Sequence, residues 1–304
     1  MRKYWKHFWV TVLLTAMVLM LSACSAAGSS TSLLGFLSPA QPTSTPTLTP
    51  TSVPTEIPPT PTATATPAPT QTPTPALIQV KAGQQVDVPI LLYHHIAEDS
   101  TGNRYFVSPE VFATQMQWLY DHHYQTITTS QLADVILHGG QIPERAVVIT
   151  FDDGDQDQVT NALPIMKKYG FVGTAYIIVT WVGAAGYDTP DQIKQLSDAG
   201  WEIGSHTMSH VYLTTVENNL DYEIRNSLVE LQKKYNVKVT SIAYPFGDID
   251  STVATYTSHA GYTNGVGLGT TYQHGLSDLY YLVRMEVRQE YTMDQFIALL
   301  PWKD

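Results

Sequence analysis

Two short stretches of this chain could do chemistry together. Thr150-Phe151-Asp152-Asp153-Gly154 places two adjacent carboxylates at the end of an apolar run, Ala146-Val147-Val148-Ile149. Further along, His206-Thr207-Met208-Ser209-His210 places two imidazoles four positions apart, just after Trp201-Glu202-Ile203-Gly204. One Asp and two His make a divalent-metal site with positions left open for water and substrate. Two neighbouring carboxylates repel each other if both are buried and unpaired. A metal on one relieves that repulsion and leaves the other ionised, placed to act as a base on water. Each stretch has a plainer reading alone: Asp-Asp-Gly is good turn chemistry, and a histidine pair can sit on a surface. Read together, they point to a metal-dependent hydrolase.

Such residues need elements that bring them to one place. Short apolar runs predict strands at Val88 to Tyr93, Ala146 to Phe151, Gly173 to Val179, Trp201 to Ser205, Val239 to Tyr244 and Thr263 to Leu268. Helical patterns lie between them. Ser108-Pro109-Glu110 reads as cap, first residue and first-turn acid, with Phe112, Met116 and Leu119 at helical spacing. Thr189-Pro190-Asp191 repeats the signal, and Leu220 to Tyr235 and Thr292 to Leu300 are further helices. This alternation predicts an α/β fold, a distorted and incomplete (β/α) barrel of parallel strands forming a single globular domain. His94, Asp152, Asp153, His206 and Pro245-Phe246-Gly247 all follow strands. In a parallel barrel those strand ends open on one face, where active sites form.

The N-terminus reads as a processing segment. Arg2, Lys3 and Lys6 precede the apolar stretch Phe8 to Leu21, and Leu21-Ser22-Ala23-Cys24 closes it. Cys24 is the only cysteine, so no intramolecular disulfide is possible. Residues 24–81 are dominated by Ala, Ser, Thr and Pro, and Glu56 is the only charge between Lys6 and Lys81. Such a segment buries too little apolar surface to offset its ordering entropy and is expected to be an extended tether. The division expected is therefore a leader at 1–23, a tether at 24–81 and a catalytic domain at 82–304. Without the three leader bases, 13 Lys and Arg face 27 Asp and Glu, a net of −14 with His neutral. That argues against nucleic acid and anionic membrane surfaces as partners. A monomer is expected.

With the motifs in order, the pattern resembles the polysaccharide deacetylases, the NodB homology domain of carbohydrate esterase family four. Thr-Phe-Asp-Asp-Gly and His-Thr-x-x-His are similar to the family's first two motifs, and Ala243-Tyr244-Pro245-Phe246-Gly247 to its third. The likeness runs from about Val88 to Leu300. It implies that Asp153, His206 and His210 bind one divalent metal, usually zinc, with cobalt or nickel as alternatives. It makes Asp152 the general base, and the backbone N–H of Phe246 an oxyanion donor. The implied substrate is an acetylated polysaccharide carrying N-acetylhexosamine. Leu-Ser-Ala-Cys likewise resembles the bacterial lipobox, implying a lipidated Cys24 that anchors an extracytoplasmic protein to the cell membrane.

Two departures stand out. The third motif commonly begins with Arg, where this chain has Ala243, and no C-terminal Leu-x-His lies near Leu279 to Val287. The opening Leu91-Leu92-Tyr93-His94-His95 instead resembles a permuted branch that includes the poly-N-acetylglucosamine deacetylases. This implies His94 as the acid, with His95 the weaker candidate. Arg284, in Val283-Arg284-Met285-Glu286-Val287, is the candidate cationic partner of Asp152. Trp181 is either a platform for a sugar ring or a core aromatic, the reading adopted. Two other functions stay open: a polysaccharide O-acetyl esterase, and a catalytically inactive, lipid-tethered glycan-binding protein.

Overall fold

The structure, a computed structural model, describes residues 76–303, and all of these fall within one compact unit. The leader, Cys24 and most of the tether lie outside the described residues. Seven short strands form the core: β1 Ile90–Tyr93, β2 Ala146–Phe151, β3 Thr174–Ile177, β4 Glu202–Ser205, β5 Ser241–Ala243, β6 Asn264–Leu268 and β7 Leu282–Glu286. Each pairs in parallel with the next, and β7 returns to β1. The ring is closed but one strand short of the eight-stranded form. All six expected strands are present, Ala146–Phe151 with the bounds read and the other five slightly shorter. The seventh, β7, was not expected, because Arg284 and Glu286 interrupt its apolar pattern.

Side-chain alternation divides the core. Leu91, Val147, Ile149, Ala175, Ile203 and Ile242 face outward into a cluster shared with the surrounding helices. Ile90, Val148, Tyr176, Ala243, Val266 and Leu282 belong to a second cluster within the ring. Helix Thr129–His138 contributes Leu132, Val135 and Ile136 to that inner cluster and closes its lower end. Its Thr128/Gln131 capping box supplies the start signal. Above the apolar layer the interior turns polar, with Thr150 and Arg284 both buried.

The outer helices start where capping chemistry predicts. Ser108 caps Pro109–Asp121, and Thr189 with Gln192 boxes Pro190–Asp198. The stretch expected as one helix from Leu220 begins as a π-helical turn, Asp221–Asn226, before the α-helix Ser227–Tyr235. No α-helix joins β6 to β7; a short strand, Gln273–His274, pairs antiparallel with Val86–Asp87 instead. Leu77–Val80 pairs antiparallel with Gly140–Pro143, so the folded domain begins before Ala82. Among the described residues no helix is long and apolar enough to cross a membrane.

Candidate active site

The upper strand ends bring the expected residues together. Asp152 and Asp153 follow β2, His206 follows β4, and Phe246 lies just beyond β5. Gly204, two residues before His206, has a physical reason: a Cβ there would collide with the Tyr176 ring inside the barrel.

Asp153, His206 and His210 offer ligand atoms that all lie within 4.8 Å of one another. His206 is buried and its Nδ1 donates to the Ala243 carbonyl at 2.8 Å, which turns Nε2 to the centre. His206 Nε2 and His210 Nε2 each lie 3.5 Å from Asp153 Oδ1. That oxygen is buried and has no hydrogen-bond partner. Burial, with Asp152 and Asp155 nearby, pushes Asp153 up to about 7. Burial pushes His206 down to about 3, and lowers His210 as well, so both present neutral imidazoles. An orphaned carboxylate oxygen facing two neutral imidazole nitrogens fits a divalent cation.

Asp152 is 3% exposed and Arg284 1%. Arg284 donates from Nη1 to Oδ1 at 2.6 Å and from Nη2 to Oδ2 at 2.8 Å. This two-pronged pairing is the strong form of a buried charge pair. Nε of Arg284 donates to Gly267 O at 3.2 Å, fixing the guanidinium from β6. Burial alone would raise the Asp152 pKa, but Arg284, with His206 and His94, holds it well below the usual carboxylate range. Ala243, where the family commonly has Arg, supplies only its carbonyl, to His206. The cation beside Asp152 arrives from β7.

Four non-glycine residues here have positive φ: Asp153 at 71°, Thr207 at 68°, His210 at 56° and Phe246 at 62°. L-residues adopt this region at a cost, so the surroundings must hold them there. For the His206–His210 loop the clamp is Glu223, on the π-helical turn and 2% exposed. Its carboxylate accepts from Ser209 N at 3.0 Å and Ser209 Oγ at 2.5 Å. Removing a partner that orients a metal ligand typically costs 10–100-fold in metal affinity. Glu223→Gln should therefore weaken divalent-ion binding by roughly 10-fold, measured by competition with a fluorescent chelator. Affinity equal to wild type would remove Glu223 from the site's support.

The two histidines after β1 differ. His94 Nδ1 is buried without a partner, and its ring lies 4.5 Å from that of Tyr105. Burial lowers His94 to about 4 against the pull of Asp152. His95 Nδ1 lies 2.9 Å from Asp157 Oδ2 and 3.3 Å from Asp155 Oδ2, and its ring stacks on Phe106. Burial opposes its charge, but the two carboxylates prevail and raise its pKa. Sequence reading missed Asp155 and Asp157; they follow the Asp-Asp-Gly turn, but their partner His95 lies far away in sequence, 62 positions before Asp157. It also missed Asp188, buried beside them and pushed up to about 8 by burial and its acidic neighbours.

Trp181 corrects an expectation. It is half-buried, its ring 5.8 Å from His210 and 4.9 Å from Tyr187, so it lines the mouth of the site instead of filling the core. The apolar Ile177-Ile178-Val179 suggested burial, but β3 ends at Ile177 and a turn at Val179–Trp181 carries the indole outward. A separate cavity of about 720 Å³, with Tyr120, Glu144 and Phe171 on its wall, opens at the lower strand ends and includes none of the site residues.

Comparison with known proteins agrees with this arrangement. Residues 139–265 match the family model for polysaccharide deacetylase. The chain is 31% identical over 188 residues to YxkH of Bacillus subtilis, a protein named after the same family, covering 62% of this chain and 66% of that one. It is 29% identical over 161 residues to the poly-beta-1,6-N-acetyl-D-glucosamine N-deacetylase of Staphylococcus epidermidis, covering 48% of this chain and 55% of the relative. The chain thus spans a little under two thirds of the first and just over half of the second. In fold it is similar to the Streptococcus pyogenes deacetylase PplD solved with acetate, with a TM-score of 0.65 at 24% identity over 75% of this chain and all of that one. The motifs and the barrel thus agree with the match of residues 139–265 to the polysaccharide deacetylase family model.

Proposed function

We propose that this protein is a metal-dependent hydrolase that removes N-acetyl groups from N-acetylhexosamine residues of an extracytoplasmic polysaccharide. The observation that carries the reading is a carboxylate kept charged by Arg284 beside an Asp-His-His set: Asp152 Oδ2 lies 3.7 Å from His206 Nε2. Asp153, His206 and His210 would hold the ion, which when bound polarises an acyl oxygen and acidifies water. Asp152 accepts a proton from the attacking water, while Arg284 fixes its orientation and keeps it ionised at some expense of basicity. The water oxygen bonds to the acetamide carbon, the carbon–nitrogen bond breaks, and the nitrogen leaves as an amine once protonated. The Phe246 N–H is assigned to the developing oxyanion.

His94 is the proposed acid. A second assignment is favoured by one observation: His95 is held by Asp157 and Asp155 and is the histidine whose pKa is raised. An amine leaves poorly unless protonated, whereas an aryl oxide leaves readily. The acid variant should therefore lose about 10²–10⁴-fold in kcat/KM on an N-acetyl glycan and much less on an aryl acetate. His94→Ala should show that selective loss. Selectivity in His95→Ala instead would transfer the role.

The reading as a whole is tested by mass spectrometry of products from N-acetylglucosamine oligomers and acetylated xylan, with added Zn²⁺ or Co²⁺. Acetate from xylan alone would make the protein an O-acetyl esterase, and no product from either would favour a binding protein. Anchoring through Cys24 is supported by the Leu-Ser-Ala-Cys signal. Membrane fractionation of wild type and Cys24→Ala tests it, and identical partitioning would exclude the lipid.

A further inference from the structure

Tyr212 and Phe246 are among the exposed large hydrophobic residues, at 51% and 48%. They come from different loops, after β4 and after β5, yet their rings stack at 4.0 Å between centroids and 14° between planes. Phe246 lies in turn 4.6 Å from the His210 ring. A continuous aromatic strip therefore runs outward from a proposed metal ligand.

The strip is held in place. Asp248 accepts from Thr214 N at 2.9 Å and from Thr214 Oγ1 at 2.8 Å, tying the two loops together. Leu213, next to Tyr212, is fully buried and pins one loop. Tyr281 OH donates to the Gly247 carbonyl at 3.3 Å and steadies the other. The backbone at Phe246 is kept at positive φ, which turns the residue outward. Fixed aromatic rings left open to solvent lose little freedom when a ligand covers them.

We infer that Tyr212 and Phe246 form a platform for the pyranose ring next to the sugar being deacetylated. The inference rests on the proposed deacetylase reading. A pyranose offers a flat face of C–H groups with hydroxyls at its edge, which suits a ring stack that has apolar faces and the Tyr212 hydroxyl. A polymer whose acetamide reaches Asp153, His206 and His210 must continue across the rim, and this strip starts at His210. The protein would then favour oligomers over single sugars.

The experiment measures binding of β-linked N-acetylglucosamine and xylose oligomers, one to five residues long, to metal-free wild type, Tyr212→Ala and Tyr212→Phe by calorimetry. Thermal melts check that each variant is folded. Affinity should rise with length in wild type and Tyr212→Phe, and be roughly 3–10-fold weaker for the longer oligomers in Tyr212→Ala. Tyr212→Ala binding the pentamer as wild type does would overturn the platform. So would binding to neither oligomer series. Tyr212-dependent binding of xylose oligomers alone would retain the platform while removing the N-acetylhexosamine reading. Acetate release from wild type reports on that reading separately.

Discussion

Replacing Asp152 with Asn should lower acetate release from an N-acetyl glycan by about 10³-fold or more, at the upper end of what a positioned base contributes. Metal content should be unchanged, because Asp153, His206 and His210 remain. Ester cleavage should fall by a similar factor, since both reactions need water activated. The same change has a folding consequence. Arg284 is 1% exposed, and Asp152 takes both prongs of its guanidinium. Removing one partner of a buried ion pair leaves an uncompensated charge, at about 3–5 kcal/mol. A thermal melt should therefore show a destabilised variant, and activity must be compared at a temperature where it is folded. Wild-type activity in a folded Asp152→Asn would remove Asp152 as the base.

Arg284→Gln examines the pair from the other side. Without the guanidinium, burial dominates and the Asp152 pKa rises, so the acidic limb of kcat/KM should move to higher pH. In wild type the depressed pKa means that the pair's stabilisation is fully present above the unfolded value near 3.9 and is lost only as pH falls through the lower folded value. An unmoved acidic limb in Arg284→Gln would show that the limb belongs to another group.

Loss of a metal ligand should be equally severe. His206→Ala removes one of three donors from a centre whose nitrogen is already oriented by the Ala243 carbonyl. Second-sphere partners are worth 10–100-fold in affinity, so a direct ligand should cost more than about 100-fold. Elemental analysis of purified protein should find little metal in the variant, and activity should be near background. Chelation of wild type should have the same effect, reversed by adding Zn²⁺ or Co²⁺. Equal metal content in wild type and His206→Ala would overturn the assignment of the centre.

The parts of this site legible in the sequence are those written in short, local patterns. Asp152-Asp153 follow an uninterrupted apolar run and His206–His210 a short, largely apolar segment interrupted by Glu202, so position marks strand ends in both. Arg284 could be named as a candidate, but its strand could not be seen. The charges at Arg284 and Glu286 break the apolar pattern, and the buried carboxylate of Asp152, with the Gly267 carbonyl, makes an arginine tolerable inside the barrel. Glu223 left no signal, because an acid near a helix start usually faces solvent and its contact with Ser209 depends on the fold. Trp181 was misjudged because apolar neighbours predict burial on average, whereas the chain leaves β3 before reaching it. Patterns report what a residue sits beside in sequence, and a site also depends on what arrives from elsewhere.

The pairing of Leu77–Val80 with Gly140–Pro143 also sets how force would enter the barrel. Glu144 N donates to the Ala76 carbonyl at 2.8 Å, just before β2 begins, so the chain joins the barrel at its lower rim. The candidate site is at the upper rim. A pull transmitted through Ala76 is therefore borne by a β-ladder at the far end of the body and not by the loops that carry Asp153, His206 and Phe246. Among the described residues, the entering strand and the loops of the candidate site therefore lie at opposite rims of the barrel.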